Sequence, residues 1–288
     1  MDFAEHRIDT ADDPKIYVRD YAPQGAAREL PVICLHGLTR NSADFEAVAP
    51  KIAALGRRVI AIDARGRGKS DNDPDAAHYR PDVYTGDTLF VMDTLGIPRA
   101  VFVGTSMGGI MTMLAALTAP DRVSAAVLND IGAEVDPAGL KRIASYVGKS
   151  GPSANWDEMT AAVKAAQSVA FPGKDDAFWR TFTHRVARER PDGKVEFAYD
   201  PAIANAFTAA PADAPPPDMV PLFRALAPRP VLLVRGAISD LLSPTGVATM
   251  KQIKPDMDFV EVPNVGHAPT LEEPEAWNAI AAFLSKVE

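Results

Sequence analysis

The chain predicts an α/β fold, with a mostly parallel central sheet, helices on both faces and a helical segment inserted into the core. Three observations predict it: six short apolar runs, helical spacing between them, and one long stretch without such runs. The runs fall at 32–35, 58–62, 100–103, 123–128, 231–234 and 257–262. They are rich in Val and Ile and do not alternate with polar residues, the pattern of strands buried on both faces of a parallel sheet. The segment 15–22 reads as an antiparallel edge strand.

Helical spacing recurs at 43–55, 83–95, 107–119, 244–253 and 274–286. Strand–helix–strand order of this kind implies right-handed parallel crossovers. The rhythm stops between Gly132 and Ala227, where helices are expected at 137–147, 156–169 and 175–188, followed by the proline-rich loop 211–218. A gap of about 95 residues between core strands is too long for a loop. It is expected to be a helical cap, 132–227, inserted in a core formed by 1–131 and 228–288.

Composition narrows the function. Of 288 residues, 47% are hydrophobic and 24% charged, an ordinary globular balance. The net charge of −8 argues against nucleic acid or an anionic membrane as partner. The start M-D-F-A-E-H-R lacks a signal-peptide pattern, and no apolar run reaches membrane-spanning length, so a cytoplasmic protein is expected. Cys34 is the only cysteine and lies in an apolar run, which suits a small buried side chain better than a reactive thiol. No Cys/His cluster or H-E-x-x-H suggests a metal, and no cofactor is expected.

The chemistry concentrates at Gly104-Thr105-Ser106-Met107-Gly108, between a buried run and a helical pattern. Gly-x-Ser-x-Gly in that context is a nucleophile elbow: the turn is tight enough to require small residues on either side, and it leaves the serine exposed at the head of a helix. The Met107 amide then faces the position where negative charge develops. His36-Gly37-Leu38-Thr39 ends the first core run, and the Leu38 amide is the expected second oxyanion donor. His36 itself is expected to support this loop. The base is expected at His267, in Val265-Gly266-His267-Ala268-Pro269 between the last strand and the last helix.

Two carboxylates compete to orient that histidine. Asp240 follows the V-L-L-V run in R-G-A-I-S-D, and Asp130 ends the preceding run in L-N-D. Asp240 is favoured, because its strand is expected to lie nearer that of His267. Asp130 is then left to anchor the cap or line the pocket. Of the cap aromatics Trp156, Phe171, Phe178, Trp179 and Phe182, the tryptophans Trp156 and Trp179 are the candidate substrate contacts, with plain packing as the alternative for the whole set.

From H-G-L-T through G-T-S-M-G-G and R-G-A-I-S-D to V-G-H-A-P, the chain resembles the α/β-hydrolase superfamily over almost its whole length. Asp63-Ala64-Arg65-Gly66-Arg67-Gly68-Lys69-Ser70 is similar to that family's D-x-R-G-x-G-x-S loop, which is structural. The nearest resemblance is to small bacterial serine esterases and lactonases. Serine at the elbow separates the chain from haloalkane dehalogenases and epoxide hydrolases, which carry aspartate there. The absence of H-G-G-G and of a second cysteine separates it from many secreted lipases. The resemblance implies acyl transfer on a small ester or lactone without a metal. A carbon–carbon bond hydrolase, aminopeptidase or perhydrolase on the same triad, and a ligand receptor of the same fold without turnover, are the alternatives.

Overall fold

The computed structural model describes residues 2–10, 12, 14–26, 30–205 and 217–288. Its core is one eight-stranded sheet in the order β1-β2-β4-β3-β5-β6-β9-β10. β3 (Val32–Leu35), β4 (Val59–Ile62), β5 (Ala100–Thr105), β6 (Val123–Asn129), β9 (Val231–Gly236) and β10 (Asp258–Val262) run parallel. β2 (Lys15–Tyr21) pairs antiparallel with β4, and β1 (Ala4–Asp9) pairs antiparallel with β2. The segment expected at the edge therefore lies one place inside it. β1 is mostly exposed and reads A-E-H-R-I-D, with no apolar run to announce it.

Alternate strand residues feed two cores. Ile33, Leu35, Phe102 and Leu128 face one side, where α2 (Pro81–Thr94), α3 (Met107–Thr118), α7 (Val220–Leu226) and α8 (Pro244–Ile253) pack. Val32, Cys34, Val101, Val103 and Val127 face the other, under α1 (Ala49–Ala54) and α9 (Pro274–Lys286). The helix expected over 43–55 is divided: a 3-10 turn covers Ser42–Phe45 before α1 begins, and Pro50 sits in the first turn of α1, where a missing N–H costs nothing.

Between β6 and β9 the chain forms α4 (Pro137–Tyr146), α5 (Trp156–Gln167), α6 (Asp176–Val186) and a short hairpin, β7 (Ala187–Glu189) with β8 (Val195–Phe197). The hairpin was not expected from sequence; its strands are three residues each, too short to carry a pattern. Asp136, Asn155 and Asp175 cap the three helices by accepting from backbone amides of their first turns. The proline-rich loop lies outside the described residues over 211–216. Among the described residues no helix is long and apolar enough to cross a membrane.

The sharpest packing constraint lies where β5 turns into α3. A Cβ on Gly104 would sit 2.4 Å from the Gly108 carbonyl oxygen, and one on Gly108 would sit 2.1 Å from that of Leu35. Both neighbours are backbone and cannot swing aside. Gly108→Ala should therefore lower the melting temperature by about 5–10 °C, matching an overpacking cost of about 2–3 kcal/mol. An unchanged melt in a scanning calorimeter would contradict this reading of the turn.

Candidate active site

The turn forces Ser106 to φ 51°, a left-handed conformation that a non-glycine residue rarely adopts. Its amide donates to the Asn129 carbonyl at 2.9 Å, tying the turn to the end of β6. The hydroxyl lies 2.9 Å from His267 Nε2, and His267 Nδ1 lies 2.8 Å from Asp130 Oδ2. A carboxylate can only accept, so Nδ1 carries the proton and Nε2 is free to take one from the serine. The His267 side chain is 8% exposed and that of Asp130 is fully buried.

This corrects the expected acid. Asp240 does not reach His267. It forms a two-oxygen ion pair with Arg142 of α4, with Nη2 at 2.8 Å from Oδ1. Burial raises the Asp240 carboxyl, but the Arg142 hydrogen bonds and charge, with the nearby His267, outweigh it and hold the group below its usual range. Asp130 takes the place beside His267 because it too is left-handed, at φ 56°, which turns its carboxylate out of the strand direction toward the β10 side. The loop after β9 then serves Asp130. The Gly236 amide donates to Oδ1 at 2.9 Å and the Ser239 hydroxyl to Oδ2 at 2.5 Å. Asp130 is thus neither a cap anchor nor a pocket residue. It is a buried carboxylate with three donors, which keeps its charge satisfied.

Asn129, which the sequence reading passed over, joins the pieces. Its side-chain amide donates to Thr105 Oγ1 at 3.0 Å and to the Pro269 carbonyl at 2.8 Å. One residue thus touches the nucleophile turn through both its main chain and its side chain, and holds the loop that carries His267.

The oxyanion side is equally braced. Met107 opens α3, so no preceding turn of that helix supplies a carbonyl for its amide. Leu38 borders the same cavity as Ser106, beside Gly37. Its carbonyl is held by Arg67 Nε at 3.0 Å. His36 accepts from the Ala64 amide through Nε2 at 3.0 Å, which places its proton on Nδ1, 2.7 Å from the Gly37 carbonyl. Burial pushes the His36 pKa down to about 3, so it is a neutral prop, as expected. The 63–70 loop therefore supports the H-G-L turn at two points. Its Asp63 is buried and receives the Ser42 and Lys69 amides. Cys34 is buried, and burial pushes its thiol up, away from reactivity.

The cavity beside Ser106 has a volume of about 50 Å³. The inserted segment contributes Ile143, Tyr146 and Gln167 to its wall. Trp156 and Trp179 do not line it. Trp156 stacks on His184 with ring centroids 4.0 Å apart, and Trp179 is 1% exposed in a cluster with Phe171, Phe178 and Phe182. Their apolar bulk is consumed by packing within the insertion. Tyr146 and Gln167 sit at helix C-termini with no local signal that marks them. Asp12, Asp73 and His78 bring ligand atoms within 4.8 Å of one another, the pattern of a metal site, but Arg65 already occupies both carboxylates at 2.6–3.1 Å.

Comparison with known proteins agrees with this fold. Residues 31–274 match the family model described as the alpha/beta hydrolase fold. The chain belongs to the α/β-hydrolase superfamily. A crystal structure of an α/β hydrolase from Novosphingobium aromaticivorans superposes on this hydrolase with a TM-score of 0.92 and 39% identity, over all of both chains. The 3-hydroxybutyrate-oligomer hydrolase of Cupriavidus necator is 33% identical over 84% of each chain. The 2-(acetamidomethylene)succinate hydrolase of Mesorhizobium japonicum is 30% identical over 88% of this hydrolase and 87% of its own length.

Two outcomes follow. Asp130→Asn should cut turnover of an activated ester by about 10³–10⁴-fold, while Asp240→Asn should cost less than about tenfold, measured as kcat. Equal losses would undo the assignment. His36 binds its proton more weakly folded than unfolded, so its contribution to stability is present above pH 6.5 and is lost as pH falls toward 3. Between pH 6.5 and 5 it should cost about 2 kcal/mol. Urea melts of His36→Gln should lack that share of the wild-type slope.

Proposed function

We propose that this α/β hydrolase is a serine esterase acting on small carboxylic esters, with Ser106 as nucleophile, His267 as base and Asp130 as the orienting acid. The observation that carries it is the continuous line from Ser106 Oγ through His267 to Asp130, at 2.9 and 2.8 Å. Ser106 attacks the acyl carbon as its proton passes to His267 Nε2. Asp130, buried and already ionically satisfied, stabilises the imidazolium without taking its proton. The Leu38 and Met107 amides receive the oxyanion. The imidazolium then protonates the leaving alcohol, the acyl-enzyme forms, and water delivered through the same histidine releases the acid. The likeness to the oligomer hydrolase supports an ester bond, since hydroxy acids oligomerise through esters. A lactone, being an internal ester, fits the same steps.

Of the expected cap 132–227, the part 132–205 acts as the cap of this site, since α7 packs on the sheet face beside α3. The cap residues Ile143, Tyr146 and Gln167 border the cavity beside Ser106, so the inserted segment helps set what reaches the serine. The Arg142–Asp240 and Arg185–Glu46 pairs tie the inserted segment to the core. A second reading keeps the triad and changes the bond, and the likeness to the 2-(acetamidomethylene)succinate hydrolase favours it.

Ser106→Ala should fold normally, lose labelling by a fluorophosphonate, and turn over 4-nitrophenyl acetate at about the uncatalysed rate. Retained turnover in that variant would refute the serine mechanism. A panel of short hydroxy-acid esters, lactones and 2-(acetamidomethylene)succinate separates the two readings.

A further inference from the structure

We infer that Arg40 recognises a free carboxylate on the substrate, so that the enzyme selects short esters that are themselves anions. This rests on the esterase reading above. Among the described residues, Arg40 is the one Arg or Lys in the wall of the Ser106 cavity, and Asp44 the one carboxylate. Arg40 also lines the adjoining cavity beneath Phe182, together with Tyr146 and Gln167, which border both spaces. Its stem runs close to the nucleophile. The position a Cβ on Gly37 would take lies 3.6 Å from Arg40 Cγ and 3.7 Å from Ser106 Cβ.

The guanidinium is held in place but not used up. Nε and Nη2 both approach a single oxygen, Asp44 Oδ1, at 2.8 Å. The plane lies over the Phe182 ring, 4.1 Å from its centroid. Nη1 makes no hydrogen bond among the described residues. Arg65 on Asp87 and Arg142 on Asp240 fork onto two oxygens of one carboxylate, whereas Arg40, like Arg188 on Glu196, meets a single oxygen and leaves donors over. Burial pushes the Asp44 carboxyl up against the pull of Arg40 and Arg185.

A largely enclosed guanidinium with spare donors gains most from an incoming carboxylate, which supplies charge-assisted bonds that a neutral group cannot. The short path from Arg40 to Ser106 places that carboxylate a few bonds from the scissile carbonyl, the spacing of short hydroxy-acid esters. The phenyl face beneath the guanidinium fixes its plane, so little entropy is lost when the anion binds.

The test uses the linear dimer of 3-hydroxybutanoate, with its free carboxylate, against the same dimer as its terminal carboxamide. Wild type should favour the acid by at least about tenfold in kcat/KM, with the difference in KM. Arg40→Gln should shrink that preference to within about threefold, and Arg40→Lys should retain part of it. A purely structural Arg40 would lower both substrates together and leave the ratio intact, which overturns the proposal, as does a wild type that treats the two alike. If wild type hydrolyses 4-nitrophenyl acetate but neither dimer, the anion selectivity is wrong and the esterase reading stands. If wild type hydrolyses no ester, the esterase reading fails and this inference falls with it.

Discussion

The site depends on how closely the first turn of α3 approaches the carboxyl ends of β3 and β5. With hydrogen atoms alone at Gly104 and Gly108, backbone meets backbone where any Cβ would collide. That contact bends the chain so sharply that Ser106 must adopt φ 51°. The strain is local, of order 1–3 kcal/mol, and the surrounding sheet holds it. In return the hydroxyl stands clear of the sheet edge, and the Met107 amide sits at the head of a helix whose dipole favours negative charge. The proposed nucleophile and oxyanion donor are thus products of one steric constraint.

A second left-handed residue completes the arrangement. Asp130 at φ 56° directs its carboxylate across the end of β9 toward His267. Two strained residues on neighbouring strands, joined through the Ser106 amide and the Asn129 carbonyl, hold the ends of the proton path fixed. The tie through Asn129 to Pro269 fixes its middle. Such a path needs little rearrangement when charge appears, which is where electrostatic preorganisation contributes most to rate.

Much of this was legible in the sequence, for physical reasons that also explain the failures. Parallel core strands announce themselves as unbroken apolar runs, and Gly-x-Ser-x-Gly announces a steric necessity. Hence the sheet, Ser106, His267 and the loops around them could be read directly. The choice between Asp130 and Asp240 could not. It turns on backbone dihedrals and on an ion pair from a helix about a hundred residues away in sequence, and neither leaves a local pattern. Strand proximity favoured Asp240, but Arg142 holds that side chain elsewhere. The tryptophans misled for a related reason: large rings mark burial, and burial inside the insertion removes them from the cavity wall. β1 escaped notice because an exposed edge strand needs no apolar run.

The same logic explains why the polar residues of the cavity, not its aromatics, carry the selectivity proposed for it. Apolar walls discriminate weakly, by about 1–3 kcal/mol for each methylene, whereas a desolvated charge penalises every ligand that leaves it unpaired. The inserted segment presses Phe182 against Arg40 and brings Tyr146 and Gln167 to the cavity. It thereby encloses most of a guanidinium whose ion pair, among the described residues, meets a single carboxylate oxygen. In the proposed reading a substrate anion gains most at such an enclosed point, because the attraction strengthens as the local dielectric falls.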